Sequence, residues 1–586
     1  MAAVLLVTAL VYLNGLNNPF ITDDRHIILK NFWQGWTFED MLDRSLFATT
    51  PSKAPYFRPL TLLTFAVNYT FAEDSPMGYR LVNVLIHLTV VALIYFFLSL
   101  VAEKWTVTLA TLLFALHPAH VQAVSYISSR SDPLYTALGL LCLLLWRKGD
   151  EAQGNKRSFY FSFALSAFFL GLFAKESMVV IPALVLAMDL TWSRAGSWRE
   201  KIRTNLGWYL GFGVLFSVYL LIRFNAGFAP TMEMAREFDL GSRILLAFKL
   251  FSLYLGLVFY PAHLSLFRAV PIPQSIFEWQ VILGAVLLAG MVLLAWSLRK
   301  SHKEIAFGIL WYLISLLPVL NLTLLNAPMM EHWLYLPMIG LALAFVSTVR
   351  IVAERTEEIR GTALGLIFLA LLLSVRTFTR NFEWRDPLQL FSENVTQYPG
   401  SYSAWSWLAD SMRFRGMWDE AIHAYKRSLA IKPNQDETWV ALGEALSMAG
   451  KDDEAEKILS RAVTMDPRNS WFRYALGIHL LSVGKNHAAI DVMEKFTDSN
   501  LPLTYHALGS AYLRLGDGKK AEEMFQKALA RYPGGRRLHA GFHSGLGTLY
   551  LSEGNFKEAK EELQLALRFQ PNFARALNLL KELEKH

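Results

Sequence analysis

Apolar runs recur through the first two thirds of the chain, near 2–17, 79–101, 106–117, 133–147, 158–174, 177–192, 205–223, 244–261, 279–298, 304–325, 332–350 and 361–379. Most approach the roughly 20 residues a helix needs to cross a bilayer core, so the pattern predicts a bundle of about 11–12 helices. Beyond residue 380 the runs give way to a periodic alternation of apolar and charged positions. Alignments at a spacing of about 34 residues show a Leu-Gly or Leu-Ala pair in a first helix and a small residue and proline closing a second, the tetratricopeptide pattern. The first reads Trp405, Leu408, Ala409, Gly416, Ala421, Tyr425, Pro433, and the second Trp439, Leu442, Gly443, Gly450, Ala455, Ala462, Pro467. The third keeps Leu476, Gly477, Gly484 and Ala489 without a closing proline. Leu508, Gly509, Gly516, Ala521 and Pro533 mark the fourth, and Leu546, Gly547, Gly554, Ala559 and Pro571 the fifth. The polar end of 574–586 reads as the cap that a stack of repeats requires.

The expected fold is therefore all-α: a polytopic membrane helix bundle over 1–380, a linker over 381–401, and a tetratricopeptide solenoid over 402–586. Composition agrees, with 53% hydrophobic and 18% charged residues in 586. A single soluble enzyme, a fibrous protein and a disordered tail are excluded. About 26 basic and 26 acidic residues balance within 381–586, so the net charge of +7 belongs entirely to the bundle. That excess lies in short loops, at Arg147-Lys148 to Lys156-Arg157, Arg194 to Arg203, Arg299-Lys300 to Lys303, and Arg350 to Arg360. The positive-inside rule makes all of these cytoplasmic, and removes any need for a nucleic-acid partner. Three apolar runs between 203 and 299 are an odd number; 244–261, with Lys249 inside it, is assigned as the one that does not cross. Cys142 is the single cysteine, so there is no disulfide framework.

This topology puts the loop 18–78, the later loops 117–132, 224–243 and 326–331, and everything after 380 on the outer face. Asp23-Asp24, Arg58, Arg80, Asn83, His117, His120, Arg130, Asp132, Lys175-Glu176, Arg223 and Glu331-His332 then gather at one leaflet. Charged groups near membrane depth are costly, so this convergence reads as a polar cavity. For Arg80, Arg223 and His332 an interfacial anchor is an equal reading. A carboxylate directly after the first span suits deprotonation of an acceptor hydroxyl; the alternative for Asp23-Asp24 is an Asx-turn or helix N-cap. His117 and His120 raise a divalent-metal site with Asp23 or Asp132, set below loop packing and hydrogen bonding. No cofactor is assigned.

The ordered set resembles the transmembrane and tetratricopeptide-repeat-containing O-mannosyltransferases, within the GT-C superfamily of polytopic glycosyltransferases. The matching elements are Asp23-Asp24; Arg58-Pro59-Leu60; Arg80-Leu81-Val82-Asn83; His117 to Val124 and on to Arg130-Ser131-Asp132; Lys175-Glu176; and Glu331-His332-Trp333-Leu334-Tyr335-Leu336-Pro337. The resemblance implies a GT-C-type bundle that moves a sugar from a polyprenyl-phosphate carrier on the noncytoplasmic face. It implies Asp23 as general base with Asp24 assisting, and makes Arg58, Arg130, Lys175 and Arg223 candidates to hold the phosphate. Arg80, Asn83, His117, His120, Asp132, Glu176, Glu331 and His332 would line the substrate cavity. The short repeat array, compact loops and single cysteine point to a bacterial inner membrane with periplasmic repeats. The repeats would bind a protein acceptor or partner, or else only extend and stiffen the enzyme. Two rival classes are a membrane-anchored scaffold for envelope proteins and a lipid-carrier transporter; the transporter would distribute its polar residues near mid-membrane and carry repeated topology.

Overall fold

The computed structural model describes residues 1–25, 56–192, 198–225, 239–322, 325, 327–495, 501–531 and 536–584, and these contain helices and turns but no strand. They fall into two compact units, one ending at Leu390 and one covering the repeats from Phe391.

In the first unit, α1 (Ala2–Tyr12) is followed by α2 (Pro59–Ala72), α3 (Pro76–Leu98), α4 (Lys104–Ala115), α5 (Val121–Ser125), α6 (Ser131–Glu151), α7 (Gly154–Ala174), α8 (Ile181–Thr191), α9 (Trp198–Asn225), α10 (Leu240–Phe259), α11 (Trp279–Leu298), α12 (Lys303–Leu316), α13 (Pro337–Arg355) and α14 (Ile359–Glu383). Every predicted apolar run has become a helix. Seven of the helices are long and apolar enough to cross a membrane, and α4 with the segment Pro118–Ser125 makes an eighth, bent by 51° where Pro118 interrupts it. This is a multi-pass membrane unit.

One correction concerns the loop 18–78, since 59–72 is helical. Pro59 supplies a pre-set N1 residue, and Thr61, Leu62, Phe65 and Asn68 form the buried face of α2. Its apolar stretch is too short to stand out beside the spans. Residues 26–55 of the same loop, including His26-Ile27-Ile28, lie outside the described residues.

The charged groups sort to opposite ends of the bundle. Helices α3, α6 and α13 all begin beside Arg80, Asp132 and Tyr335 and run 19–23 residues to the other end. There Arg350 contacts Glu103, Glu304 and Glu354. Arg147 pairs with Asp150 and Glu151, Lys201 also reaches Asp150, and Arg157 donates to Asn205. The basic loops thus share one end, as the charge pattern predicts; Arg194 is outside the described residues. Helix α10, the run set apart in the sequence as not crossing, is itself one of the seven long and apolar enough to cross. Its Val258 carbonyl meets His117 at the polar end, where α9 also finishes beside Arg58 and Glu176. Lys249 is buried and satisfied by Glu278 at 2.9 Å and the Pro271 carbonyl at 3.0 Å.

The second unit stacks helix pairs: Tyr402–Arg413 with Trp418–Ile431, Asp436–Met448 with Asp452–Met465, Ser470–Ser482 with Asn486–Glu494, Pro502–Arg514 with Gly518–Ala530, and Arg536–Ser552 with Phe556–Phe569, then Ala574–Leu583. Gly416, Gly450, Gly484, Gly516 and Gly554 close the first helix of each pair in left-handed backbone, with φ from 72° to 80°. The motif's small residue has a packing reason. A Cβ on Gly443 or Gly477 would meet the side chain of Leu459 or Met493 at 2.5 Å, so its absence lets the paired helices close. The proline-less third repeat has the shortest second helix, of nine residues.

Candidate active site

The turn after α1 puts Thr22 at φ 41°, and its hydroxyl donates to the Tyr126 hydroxyl at 2.7 Å. Asp24 is buried, and its Oδ1 accepts from the Ser128 amide (2.8 Å) and hydroxyl (2.6 Å). These partners are 104 residues away, so Asp24 is a tertiary anchor rather than an Asx-turn or N-cap. Burial pushes its carboxyl up to about 6, against the pull of Arg80 and Ser128. Asp23 is half-buried; burial raises it too, opposed by the neighbouring Tyr126 hydroxyl. The two adjacent carboxylates therefore differ: one is locked to the protein, the other retains access.

Arg80 clamps this turn. Its guanidinium donates to the carbonyls of Asn18, Pro19 (2.7 Å) and Ser125 (2.9 Å). Asn83 donates to the Val124 carbonyl and accepts from Arg130 Nε at 2.6 Å. Arg130, expected among the phosphate-holding residues, is enclosed by its neighbours. Its other nitrogens donate to Thr64, Asn68 and the Tyr79 carbonyl, and its guanidinium lies 4.3 Å over the Phe65 ring. Fully buried and directed at α2 and α3, it braces the site.

A second cluster joins the ends of α2, α6, α7 and α9. Arg58 grips Glu176 through Nε (3.1 Å) and Nη2 (2.5 Å). That guanidinium overrides the cost of burial and holds the Glu176 carboxyl down to about 2. Lys175 Nζ sits 2.7 and 2.8 Å from the two oxygens of Asp132. His332 stands 3.9 Å from Asp132, but burial and the cations Lys175 and Arg58 push its imidazole well below its ordinary range, so it is neutral. Arg223 joins this group through Tyr219.

Glu331 nucleates a third cluster. It is fully buried, accepts from the Ser265 amide and from Arg268, and has Arg380 at 3.8 Å. His117 and His120 behave differently again. His117 Nδ1 accepts from the Ala119 amide, which makes Nε2 the protonated nitrogen facing Val258 at 3.0 Å and leaves no lone pair for a metal. It caps the turn Pro118–His120 instead of sharing a helical face with His120. His120 is packed among Phe114, Tyr335 and His87, and His87 contacts the Tyr335 hydroxyl at 2.5 Å. Among the described residues no three His, Cys, Asp or Glu side chains converge as a metal site would need.

Sequence reading passed over Tyr126, His87, Arg268 and Arg380. For Arg380 a signal existed: Arg376, Arg380 and Glu383 recur at helical spacing in the last turns of an otherwise apolar α14. Arg268 follows an irregular stretch without periodicity, and nothing in its neighbours marks it.

Comparison with known proteins bears on both units. Tetratricopeptide-repeat family models match residues 415–470, 474–535 and 512–583. The chain is similar to the mouse protein O-mannosyl-transferase TMTC4, 25% identical over 458 residues, covering 67% of this chain and 61% of that protein. It is likewise 25% identical over 407 residues to the Caenorhabditis elegans protein O-mannosyl-transferase F38B6.6, covering 66% of this chain and 56% of the relative. The Xenopus laevis protein O-mannosyl-transferase tmtc2 is 30% identical over 333 residues, covering 51% and 40%. The chain thus spans about 56–61% of the first two relatives' length. Among solved structures, MamA aligns at 28% identity over 29% of this chain and 97% of its own, with a TM-score of 0.24. The Thermus thermophilus tetratricopeptide protein TTC0263 aligns at 22% identity over 32% and 98%, with a TM-score of 0.27.

Proposed function

We propose that the chain, related to the tetratricopeptide-containing O-mannosyltransferases, transfers a sugar from a polyprenyl-phosphate carrier to a protein or glycan acceptor at the polar end of the bundle. The observation that carries this reading is the unequal pair Asp23 and Asp24. Asp24, held by Ser128 beside Arg80, fixes the turn; Asp23 is the carboxylate left with access. In the reaction Asp23 takes the proton of the acceptor hydroxyl as its oxygen attacks the anomeric carbon. The bond from that carbon to the carrier's phosphate breaks, and the phosphate departs with the electron pair. Cations favour that leaving group, and Arg58, Lys175 and Arg223 lie at this end of the bundle.

The polar end is the noncytoplasmic end, because the basic loops gather at the opposite one. Helix α14 finishes at the polar end, with Arg380 at Glu331, and a noncytoplasmic location of the repeats that follow it in the chain belongs to the same reading. In a bacterial cell this is the periplasm. There the repeats recruit an acceptor or partner protein, in keeping with a stacked-helix surface.

The test is transfer from radiolabelled polyprenyl-phosphate mannose to envelope extract by reconstituted protein. Asp23→Asn is expected to lower the rate by about 10²–10⁴-fold, the usual share of a general base. Unchanged transfer by Asp23→Asn refutes the assignment of the base. A wild type inactive with every lipid-linked donor, together with a null phenotype from deleting 400–586 alone, favours a scaffold.

A further inference from the structure

A base that retains access also retains freedom to turn, and that freedom costs rate, because proton transfer needs the carboxylate oxygen aimed at the acceptor hydroxyl. The side chain placed to limit it is Tyr126, whose hydroxyl lies within hydrogen-bonding reach of Asp23. Counting donors gives the direction of that bond. The Thr22 hydroxyl donates to the Tyr126 oxygen at 2.7 Å. A phenol has one proton and an ionised carboxylate only accepts, so the Tyr126 proton is left for Asp23. Thr22, Tyr126 and Asp23 thus form a donor chain that ends on the carboxylate, and accepting at one side makes the phenol a stronger donor at the other. Thr22 and Tyr126 are only 3% and 4% exposed, so water competes little for these bonds.

The backbone on both sides of Tyr126 is bound to the groups that also bind the Asp23 turn. Before it, Asn83 donates to the Val124 carbonyl at 3.0 Å, Arg80 donates to the Ser125 carbonyl at 2.9 Å, and the Ser125 hydroxyl donates to Asn381 at 2.6 Å. After it, Asp24 holds the amide and hydroxyl of Ser128. Arg80 reaches the Asn18 and Pro19 carbonyls as well, just ahead of the turn that the Asp24 amide closes on the Ile21 carbonyl at 2.9 Å. The φ of 41° at Thr22 is a strained conformation for a β-branched residue, and it accompanies the contact of its hydroxyl with Tyr126. The Trp384 ring, 5.9 Å away, packs beside the phenol. Phenylalanine would fill that space equally well; the buried hydroxyl is the part that packing does not explain.

We propose that Tyr126 is a positioning residue for the base: oriented by Thr22, its hydroxyl holds one oxygen of the Asp23 carboxylate and leaves the other for the acceptor. Its part in transfer rests on the function proposed above; the chain from Thr22 through Tyr126 to Asp23 does not. Bonding to the charged form also keeps Asp23 ionised against the cost of burial. The charged groups facing the pair are Asp24 on the same turn and, through Asp24, Arg80 of α3. The end of α14 contributes Asn381 and Trp384 there, neither of them charged.

The experiment compares wild type, Tyr126→Phe, Thr22→Val and Asp23→Asn as full chains in phosphatidylcholine nanodiscs, with two readouts. The first is ionisation of Asp23, followed in infrared difference spectra as the carboxyl band that Asp23→Asn lacks. Tyr126→Phe keeps the ring and removes only the hydroxyl, so the midpoint of that band is expected to move to higher pH as the charged form loses a donor. Thr22→Val should move it the same way by less. The second readout is transfer against pH. Tyr126→Phe is expected to lower the plateau rate at least about tenfold, the worth of a hydrogen bond to a charged group, and to carry the acid limb upward with the infrared midpoint. Thr22→Val should lower the rate by a smaller factor, and it supplies the test should Tyr126→Phe fail to fold. A tyrosine that only packs would change yield or melting and move neither midpoint nor limb, and that result overturns the proposal. Midpoints shifted in both variants of a protein inactive toward every lipid-linked donor uphold the donor chain and refute the proposed function. Transfer lost in Asp23→Asn but unaltered in rate and pH profile by Tyr126→Phe upholds the function and overturns the positioning role.

Discussion

The two ends of the bundle carry charge in opposite ways. At the basic end most ion pairs are local or lie at the rim: Arg350 meets Glu354 four residues on, its partner Glu103 is 68% exposed, and Lys201 with Asp150 is the long-range exception. At the polar end, Asp24, Arg80, Asp132, Lys175, Glu331 and Arg380 are each at most 5% exposed, and their partners come from distant segments. A chain that only needed to be anchored and oriented would keep most of its charges in water, as the basic end does with Glu103 and Glu354, although it too buries Arg147 and Asp189. Burying them costs stability, and such groups persist where they support binding or chemistry.

The sharpest way to break this contrast is to remove one partner of the buried pair. Asp132→Ala leaves the Lys175 ammonium 4% exposed, with both of its close carboxylate contacts gone. The expected loss is about 3–5 kcal/mol, seen as a lowered unfolding transition in detergent. A change under about 1 kcal/mol would show that water already reaches this end, and would put its pairs in the same class as those at the rim.

Asp24 offers a test in which the sign depends on pH. Its carboxyl is raised to about 6, whereas an unfolded aspartate titrates near about 3.9. Between those values the native state binds more protons than the unfolded chain, so stability falls as pH rises through the window. Above it the buried charge costs roughly 3 kcal/mol. Asp24→Asn retains an acceptor for Ser128 but has no charge. It should therefore be more stable than wild type at pH 8, with the advantage disappearing as pH falls toward 4. Melting curves across that range decide the matter, and a difference independent of pH sinks the proposed cause. A stabilising substitution at this position would also mark Asp24 as a residue kept for its role in the site, at some cost to the fold.

What the sequence revealed of this contrast was uneven for physical reasons. The apolar runs became helices because a stretch of near-uniform hydrophobicity long enough for a bilayer has few other stable forms. The repeats were readable because Gly443 and Gly477 are demanded by close contacts inside each repeat, a local requirement that recurs. Helix α2 was hidden, since its buried face mixes Thr61 and Asn68 with Leu62 and Phe65. The gathering of charges at one end followed from counting spans, but the partner of each charge did not. Arg58 and Arg130 look alike in sequence: one holds Glu176 at the site, whereas the other is enclosed by Asn68, Thr64 and Asn83. Arg380 meets Glu331, nearly 50 residues away, and no local spacing encodes that meeting.

The smallest effect is expected at the basic end, and it is informative for being small. Glu103→Ala removes the 2.6 Å contact to Arg350 but leaves Glu354 at 3.4 Å and Glu304 at 3.9 Å around the same guanidinium. With Glu103 mostly in solvent, the lost Coulomb energy is screened and the freed side chain regains rotamer entropy. The unfolding transition should move by less than about 1 kcal/mol, and the move should shrink further in added salt, which acts on exposed pairs first. Transfer by the reconstituted protein should not change, because no contact links Glu103 to the polar end. A loss comparable with that of Asp132→Ala would make the basic end a second buried electrostatic site and remove the asymmetry on which the placement of the chemistry depends.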